Sequence, residues 1–400
     1  MKLKHFILLF AVTMCLSGAL QAQKYTTHHM MWDSVERQYI KYVPASYQAD
    51  KPTAVLFLLH GLGDTMQNAF TASGIKQWAD RYGWIVVTPQ ALPANVSIFG
   101  QTMSLGNMWN AGIRCQVSVL TVAPNSNVDD AGFLMALLDS VEQQYNIHKD
   151  SVFFAGFSMG GFMSHRMAVE HGDRIKAIVA VSGTLAGGMV DSIPKSPVRV
   201  MHIHGTNDPV VSYDSSMITF NGFGRFSLGL GAEATVDYWR THNNCSTARY
   251  AANYADSKDD GLTFERYLYL GGDSGTYVIF VKVINGTHFW YNDDNHYDIN
   301  YSKEIVKFLR GELPSQMGVP VVNTIDCSLY PNPTAGMLAV QSTGLLKNVQ
   351  VYDMQGRLIL TRDCAATTVQ LDVTKINPGV YVVKVCTEQG NSLQKLVVQR

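Results

Sequence analysis

From about residue 55 to residue 308 the chain alternates short apolar runs with longer stretches in which apolar side chains recur every three or four positions. Ala54-Val55-Leu56-Phe57-Leu58-Leu59 is continuous, and Trp84-Ile85-Val86-Val87, Val152-Phe153-Phe154-Ala155, Ile178-Val179-Ala180-Val181 and Val198-Arg199-Val200-Met201-His202-Ile203 are similar. Such runs suit strands covered on both faces, because neither of the two alternating sides meets water. Phe133-Leu134, Leu137-Leu138 and Val141 have helical spacing and predict a helix over 129–145. Tyr277 to Ile284 reads as a late strand and Ile299 to Leu309 as a closing helix. The alternation predicts an α/β fold, a mostly parallel sheet with helices on both faces.

The pattern changes near Leu313-Pro314-Ser315-Gln316-Met317-Gly318-Val319-Pro320, where two prolines and a glycine interrupt it. Beyond this point helical spacing disappears. Asn348 to Tyr352, Leu358 to Leu360, Val369 to Val373, Val380 to Val385 and Leu393 to Val398 read as short strands separated by turns such as Asn377-Pro378-Gly379. The expected organisation is an α/β domain over 24–312, a linker over 313–327 and a small all-β sandwich over 328–400.

Four hundred residues accommodate both units, and 46% apolar residues supply a substantial core. A net charge of −1 gives no electrostatic case for nucleic acid or an anionic membrane surface. Residues 1–22 read as an export signal: Lys2 and Lys4, an apolar run from Phe6 to Leu16, then the small residues Ser17, Gly18, Ala19 and Ala22. The run is shorter than the roughly 20 residues of a spanning helix, and no later segment qualifies, so no membrane span is expected. Cys15 follows the bulky Met14, which argues against lipidation. Export leaves Cys115, Cys245, Cys327, Cys364 and Cys386 in an oxidising compartment. Cys115–Cys245 and Cys364–Cys386 are the preferred pairs, each within one domain, although spacing does not fix connectivity.

Gly156-Phe157-Ser158-Met159-Gly160 follows an apolar strand and precedes a helix containing Met163, Met167 and Ala168. Small neighbours there permit a sharp turn that lifts a nucleophilic serine above the carboxyl ends of the strands. The same turn aims the Met159 backbone N–H at a substrate carbonyl oxygen. A serine hydroxyl needs a base, and this fold orders nucleophile, acid and base along the chain. His288 follows the Tyr277–Ile284 run across Asn285-Gly286-Thr287 and is the expected base. His165 and His171 lie on the helix behind the serine, His202 lies within a strand, and His242 and His296 lie away from strand ends. Asp208 follows Val198–Ile203 and is the expected acid, with Asp191 and Asp214 as competitors. His60-Gly61-Leu62-Gly63 ends an early strand, so Leu62 N–H is the candidate second oxyanion donor and His60 a loop-shaping residue.

Phe153-Phe154-Ala155-Gly156-Phe157-Ser158-Met159-Gly160-Gly161 resembles the polyhydroxybutyrate depolymerase and feruloyl esterase group of secreted α/β-hydrolases. So do Trp109-Asn110-Ala111-Gly112, Val128-Asp129-Asp130-Ala131-Gly132-Phe133-Leu134, His204 to Tyr213 and Tyr238 to Cys245, a likeness spanning about 35–311. It implies an α/β-hydrolase with the triad Ser158, Asp208 and His288. Two departures flank the site. Cys115 is followed by Gln116 rather than a second cysteine, and His288-Phe289-Trp290-Tyr291 stands where the family tends to have His-Thr-Trp-Pro. Leu329-Tyr330-Pro331-Asn332-Pro333, Val351 to Gly356 and Pro378 to Val385 resemble the type IX secretion sorting domain of Bacteroidetes, which implies engagement of the outer-membrane secretion machinery and an extracellular or cell-surface location.

The expected activity is serine ester hydrolysis, removing feruloyl or acetyl groups from plant polysaccharide. Depolymerisation of polyhydroxyalkanoate oligomers is the alternative, and a non-catalytic polysaccharide-binding protein or adhesin the alternative of another class. Trp109, Phe289 and Trp290 are the expected substrate contacts. The chemistry needs no metal or organic cofactor, and Asn292-Asp293-Asp294-Asn295 reads as a solvated loop.

Overall fold

The computed structural model describes residues 25–98, 101–117, 120–220, 224–314, 320–321, 327–353, 357–387 and 391–399. The export signal and most of the expected linker lie outside these residues. Six parallel strands form the centre of the main sheet, in the order Ile85–Pro89, Thr53–Leu59, Ile147–Phe157, Ala177–Val181, Arg199–Gly205 and Val278–Ile284. Antiparallel strands extend both edges: Val35–Tyr42 and Thr26–Trp32 on one side, Thr263–Tyr269, Arg249–Ala251 and Pro320–Val321 on the other.

The alternate side chains of the apolar runs divide between two cores. Val55, Phe57, Leu59 and Phe154 pack with α3 (Asp130–Gln144), α4 (Met159–His171) and α5 (Ala232–His242). Leu56, Leu58, Phe153 and Ala155 face the other way, toward α1 (Met66–Ala72), α2 (Ile75–Tyr82) and α6 (Tyr301–Leu309). This double burial is the physical reason that the strands carry no alternating polar face. Asp129 starts α3 as expected, its Oδ1 accepting the Gly132 N–H at 2.9 Å. A buried ion pair, Arg37 Nη2 to Asp130 Oδ1 at 2.6 Å, ties the edge strand Val35–Tyr42 to α3. Three β-hairpins, Pro93–Ile98 with Gln101–Asn107, Cys115–Val117 with Leu120–Val122, and Met217–Phe220 with Gly224–Ser227, are inserted between central strands and the helices that follow them.

In the tail, Met337–Tyr352 pairs along most of its length with Leu358–Asp372, and its two ends also pair with Cys327–Tyr330 and Gly379–Thr387. Asn391–Val398 completes the antiparallel sheet. The runs Leu358–Leu360 and Val369–Val373, read as two strands in the sequence, belong to one. Irregularities between Gln341 and Asn348 bend the sheet, and Leu338, Val340, Leu371, Val383, Val385 and Leu396 share one core.

Neither expected disulfide forms. Cys245 is an unpaired, buried thiol after α5, beside Gly272 and Val278 at the amino end of its strand. Cys115 lies in a hairpin whose neighbouring loop (Gly112) accepts a bond from Gly188, beyond the carboxyl end of Ala177–Val181. The two cysteines therefore belong to opposite ends of the sheet. Burial pushes the Cys245 thiol up to about 11. Cys364 and Cys386 are also free. The strands that carry them flank Met337–Tyr352 on opposite sides, where Asn348 pairs with Asp363 on one and Cys386 on the other. Two strand spacings, about 9.5 Å, exceed the roughly 7 Å that a disulfide can span.

Candidate active site

Ser158 sits between the Ile147–Phe157 strand and α4 with φ 53° and ψ −117°, a backbone conformation that side-chain-bearing residues seldom adopt. The surrounding glycines allow it. A Cβ on Gly156 would lie 2.1 Å from Gly160 O, and one on Gly160 would lie 2.1 Å from Leu59 O. The turn is closed by Ser158 N–H to Val181 O at 2.8 Å and by Gly161 N–H to Ser158 O at 2.8 Å. These contacts hold the serine at the carboxyl edge of three neighbouring strands.

Asp208 and His288 meet although 80 positions separate them: His288 Nδ1 lies 2.7 Å from Asp208 Oδ2. The parallel strands Arg199–Gly205 and Val278–Ile284 end side by side, and their following loops are joined by Thr206 N–H to Val283 O and Asn207 N–H to Gly286 O, both 2.9 Å. Gly205 permits this approach, since a Cβ there would lie 2.2 Å from Gly286 O. Asp208 Oδ1 accepts the N–H groups of Val210 and Val211, each at 2.8 Å. Burial alone would raise the Asp208 carboxyl pKa. The His288 hydrogen bond and charge, with the Val211 N–H, outweigh it and hold the pKa below the usual value. An ionised Asp208 fixes the His288 proton on Nδ1 and leaves Nε2 as the basic atom.

His204 is a further residue of this assembly that sequence reasoning left unassigned. Its Nε2 donates to Val211 O at 2.9 Å and lies 3.7 Å from Asp208 Oδ2. A carbonyl can only accept, so the imidazole carries its proton on Nε2. His204, Val211 and Asp208 thus form a closed ring of contacts that fixes the acid-bearing loop. His202 and His165 stack behind it, with ring centroids 5.4 and 5.7 Å apart in succession, and both are fully buried. Burial drives His165 down to about 3 and His202 well below its ordinary value, so neither serves as the base. Tyr291, at one of the departures from the family pattern, bonds through its hydroxyl to Thr287 N–H at 3.0 Å and steadies the backbone before His288.

The early-strand loop runs beside Ser158: a Cβ on Gly61 would lie 3.5 Å from Ser158 Cβ. His60 is buried, with Nε2 accepting the Ala91 N–H at 3.0 Å and Nδ1 2.7 Å from Gly61 O. The Ala91 amide can only donate, so Nδ1 carries the proton and bonds to Gly61 O. Leu62 follows directly, half-buried, and Met159 opens α4 beside Ser158. Trp109 does not line the site. It is completely buried, its indole N–H donates to His60 O at 3.0 Å, and its ring packs on the His60 imidazole. An expected substrate contact is therefore a core residue supporting the loop.

Phe289 is half exposed beside His288, and Trp290 donates through its indole N–H to Ser302 Oγ at 3.1 Å. Both line a cavity together with Phe157 and His288. Asp293 Oδ1 accepts the Asn295 N–H and Asp294 Oδ2 bonds to Asn300 Nδ2, so these carboxylates support their own loop. Among the described residues no helix is long and apolar enough to cross a membrane.

Residues 44–223 match the phospholipase/carboxylesterase family, a span that contains Ser158 and Asp208 and ends before His288. Residues 328–399 match the secretion system C-terminal sorting domain. Feruloyl esterase C of Emericella nidulans is 29% identical over 187 residues, 47% of this chain and 60% of that protein. Probable feruloyl esterase C of Aspergillus niger is 28% identical over 181 residues, 45% of this chain and 58% of the relative. A bifunctional acetylxylan esterase/xylanase of Neocallimastix patriciarum is 24% identical over 250 residues, 62% of this chain and 30% of that enzyme. The chain thus spans less than two thirds of the length of these relatives.

Proposed function

We infer that this chain, an esterase-like α/β-hydrolase joined to a secretion system C-terminal sorting domain, hydrolyses carboxylic esters on plant polysaccharide through an acyl-enzyme on Ser158. The observation that carries the reading is the 2.7 Å contact between His288 Nδ1 and Asp208 Oδ2, in loops adjoining a strained Ser158. In the proposed reaction His288 Nε2 takes the Ser158 proton as Oγ attacks the ester carbonyl carbon. The backbone N–H groups of Met159 and Leu62 hold the resulting oxyanion, where one donor is worth about 10²–10³ in turnover. Collapse expels the alcohol with the proton from His288. Water, deprotonated by the same imidazole, then releases the acid and restores Ser158. Acyl groups on xylan are the favoured substrates because the relatives that match are named for feruloyl and acetylxylan esters.

The sorting domain supports export across the outer membrane of a Bacteroidetes-type bacterium, with the hydrolase working outside the cell or on its surface. Hydrolysis of methyl ferulate, p-nitrophenyl acetate, acetylated xylan and hydroxybutyrate oligomers, each by wild type, Ser158→Ala and His288→Ala, tests the reading. Turnover of ferulate or acetyl esters that both substitutions abolish is expected. Inert wild type against all four would overturn the esterase reading, and turnover of the oligomers alone would overturn the polysaccharide substrate.

A further inference from the structure

The hairpin of Pro93–Ile98 with Gln101–Asn107 enters between the strand Ile85–Pro89 and α3, and its stem meets the loop that follows the strand Thr53–Leu59. Two glycines stand back to back at that junction. Gly63 has φ 72° and Gly106 φ 71°, and a Cβ on Gly106 would lie 2.9 Å from Gly63 Cα. The left-handed backbone and the close approach both call for glycine. Two hydrogen bonds close the junction. Gly63 N–H donates to Asn107 O at 2.8 Å, and Asn107 Nδ2 donates to Asp64 O at 2.9 Å, which Gln90 Nε2 also reaches at 3.3 Å. The stem is itself anchored: Ala94 and Val96 are buried in the main core, and Met108 N–H donates to Leu92 O at 2.9 Å.

Leu62 lies between two pinned peptides, and in a trans peptide the C=O and N–H point in opposite directions. On one side the buried His60 donates from Nδ1 to Gly61 O at 2.7 Å, so the Leu62 N–H of that peptide points away from the His60 ring. On the other side Gly63 N–H is turned to the hairpin, so Leu62 C=O points away from it. Among the described residues no group accepts the Leu62 N–H. Turning that N–H means turning both peptides, one held by His60 and the other by the hairpin stem. A donor fixed in this way is preorganised for charge that develops only during reaction.

We propose that Gly106 and Asn107 are positioning residues for ester hydrolysis, clamping Gly63 so that the Leu62 N–H faces the oxyanion formed at Ser158. The proposal rests on the hydrolase reading above, with Leu62 as a donor, and extends its machinery to a hairpin that carries none of the reacting groups.

Asn107→Ala removes one bond to Asp64 O, and Gly106→Ala drives a methyl group against Gly63. With p-nitrophenyl acetate each should lose kcat/KM by ~10-fold, mostly through kcat, part of the about 10²–10³ that a whole donor is worth. Inhibition by phenylboronic acid gives a second reading. Ser158 Oγ forms a bond to boron as the serine proton passes to His288, and the tetrahedral adduct offers an oxygen to the oxyanion donors. Its Ki should rise by a similar factor in both variants, and Ki does not depend on how much of a preparation is folded. The acidic limb of the kcat/KM profile, set by His288, should stay in place. Unchanged kcat/KM in both variants, or a fall that leaves the boronate Ki unaltered, would overturn the clamp and leave the hydrolase reading standing. A shifted acidic limb would place the damage at His288 and overturn the clamp as well. Wild type inert toward the ester would sink both readings.

Discussion

The indole N–H of Trp109 donates to the His60 carbonyl across 3.0 Å, inside a core that excludes water. Trp109→Phe keeps an aromatic ring there and leaves the carbonyl without its donor. We expect a loss of about 2–4 kcal/mol in urea unfolding, from the orphaned acceptor and the smaller ring. His60 leads directly into Gly61 and Leu62, so turnover should fall more than KM rises. A variant with lowered stability and unaltered kcat would show that Trp109 supports the core alone.

His204 makes a different prediction, since its Nε2–H holds Val211 O while lying 3.7 Å from Asp208 Oδ2. His204→Ala removes a positive dipole beside the carboxylate, which then attracts the His288 imidazolium more strongly. The acidic limb of the kcat/KM profile should move upward by ~0.5–1 pH unit, and kcat should fall. His204→Gln supplies an N–H near the same place and should restore part of both. An acidic limb that stays in place in His204→Ala would reduce the residue to packing.

The buried histidines set a dependence of stability on pH. His165 and His202 have folded pKa values below the ordinary 6.5, because burial disfavours the imidazolium. Below about pH 6.5 the unfolded chain therefore binds protons that the folded chain refuses, and stability drops as pH falls. Each such group adds a slope of about 1.4 kcal/mol per pH unit, and for His165 the window extends from 6.5 to about 3. Urea midpoints at pH 7, 6 and 5 should decline progressively, and His202→Phe, facing Phe280, should flatten the decline. Identical slopes for both proteins would exclude His202 as a contributor.

The central strands were legible because parallel strands covered on both faces leave continuous apolar runs, as in Ala54–Leu59. The edge strands Thr26–Tyr42 and Thr263–Tyr269 were not, because their partly exposed faces mix polar and apolar residues without a clean period. Chain order together with a place just after a strand selected Asp208 and His288, which the fold brings within 2.7 Å. Trp109 was misread because an indole near a strand end looks the same in sequence whether it faces a cleft or a core. Cys364 and Cys386 were paired on domain membership alone, which says nothing about the strand lying between them. The link from His204 to Asp208 is carried by a return of the loop at Val211, and no local pattern announces such a return.

The backbone at Ser158 has a consequence for how the protein tolerates change. Its φ of 53° with ψ −117° is resisted by the residue's own Cβ, a strain on the order of 1–3 kcal/mol. Ser158→Gly should consequently melt at a higher temperature than wild type while hydrolysing nothing, and a lower melting temperature would argue that the turn is relaxed. The working sequence is thus not the sturdiest version of its own fold. For folding alone a glycine would suit position 158 better than the serine that stands there.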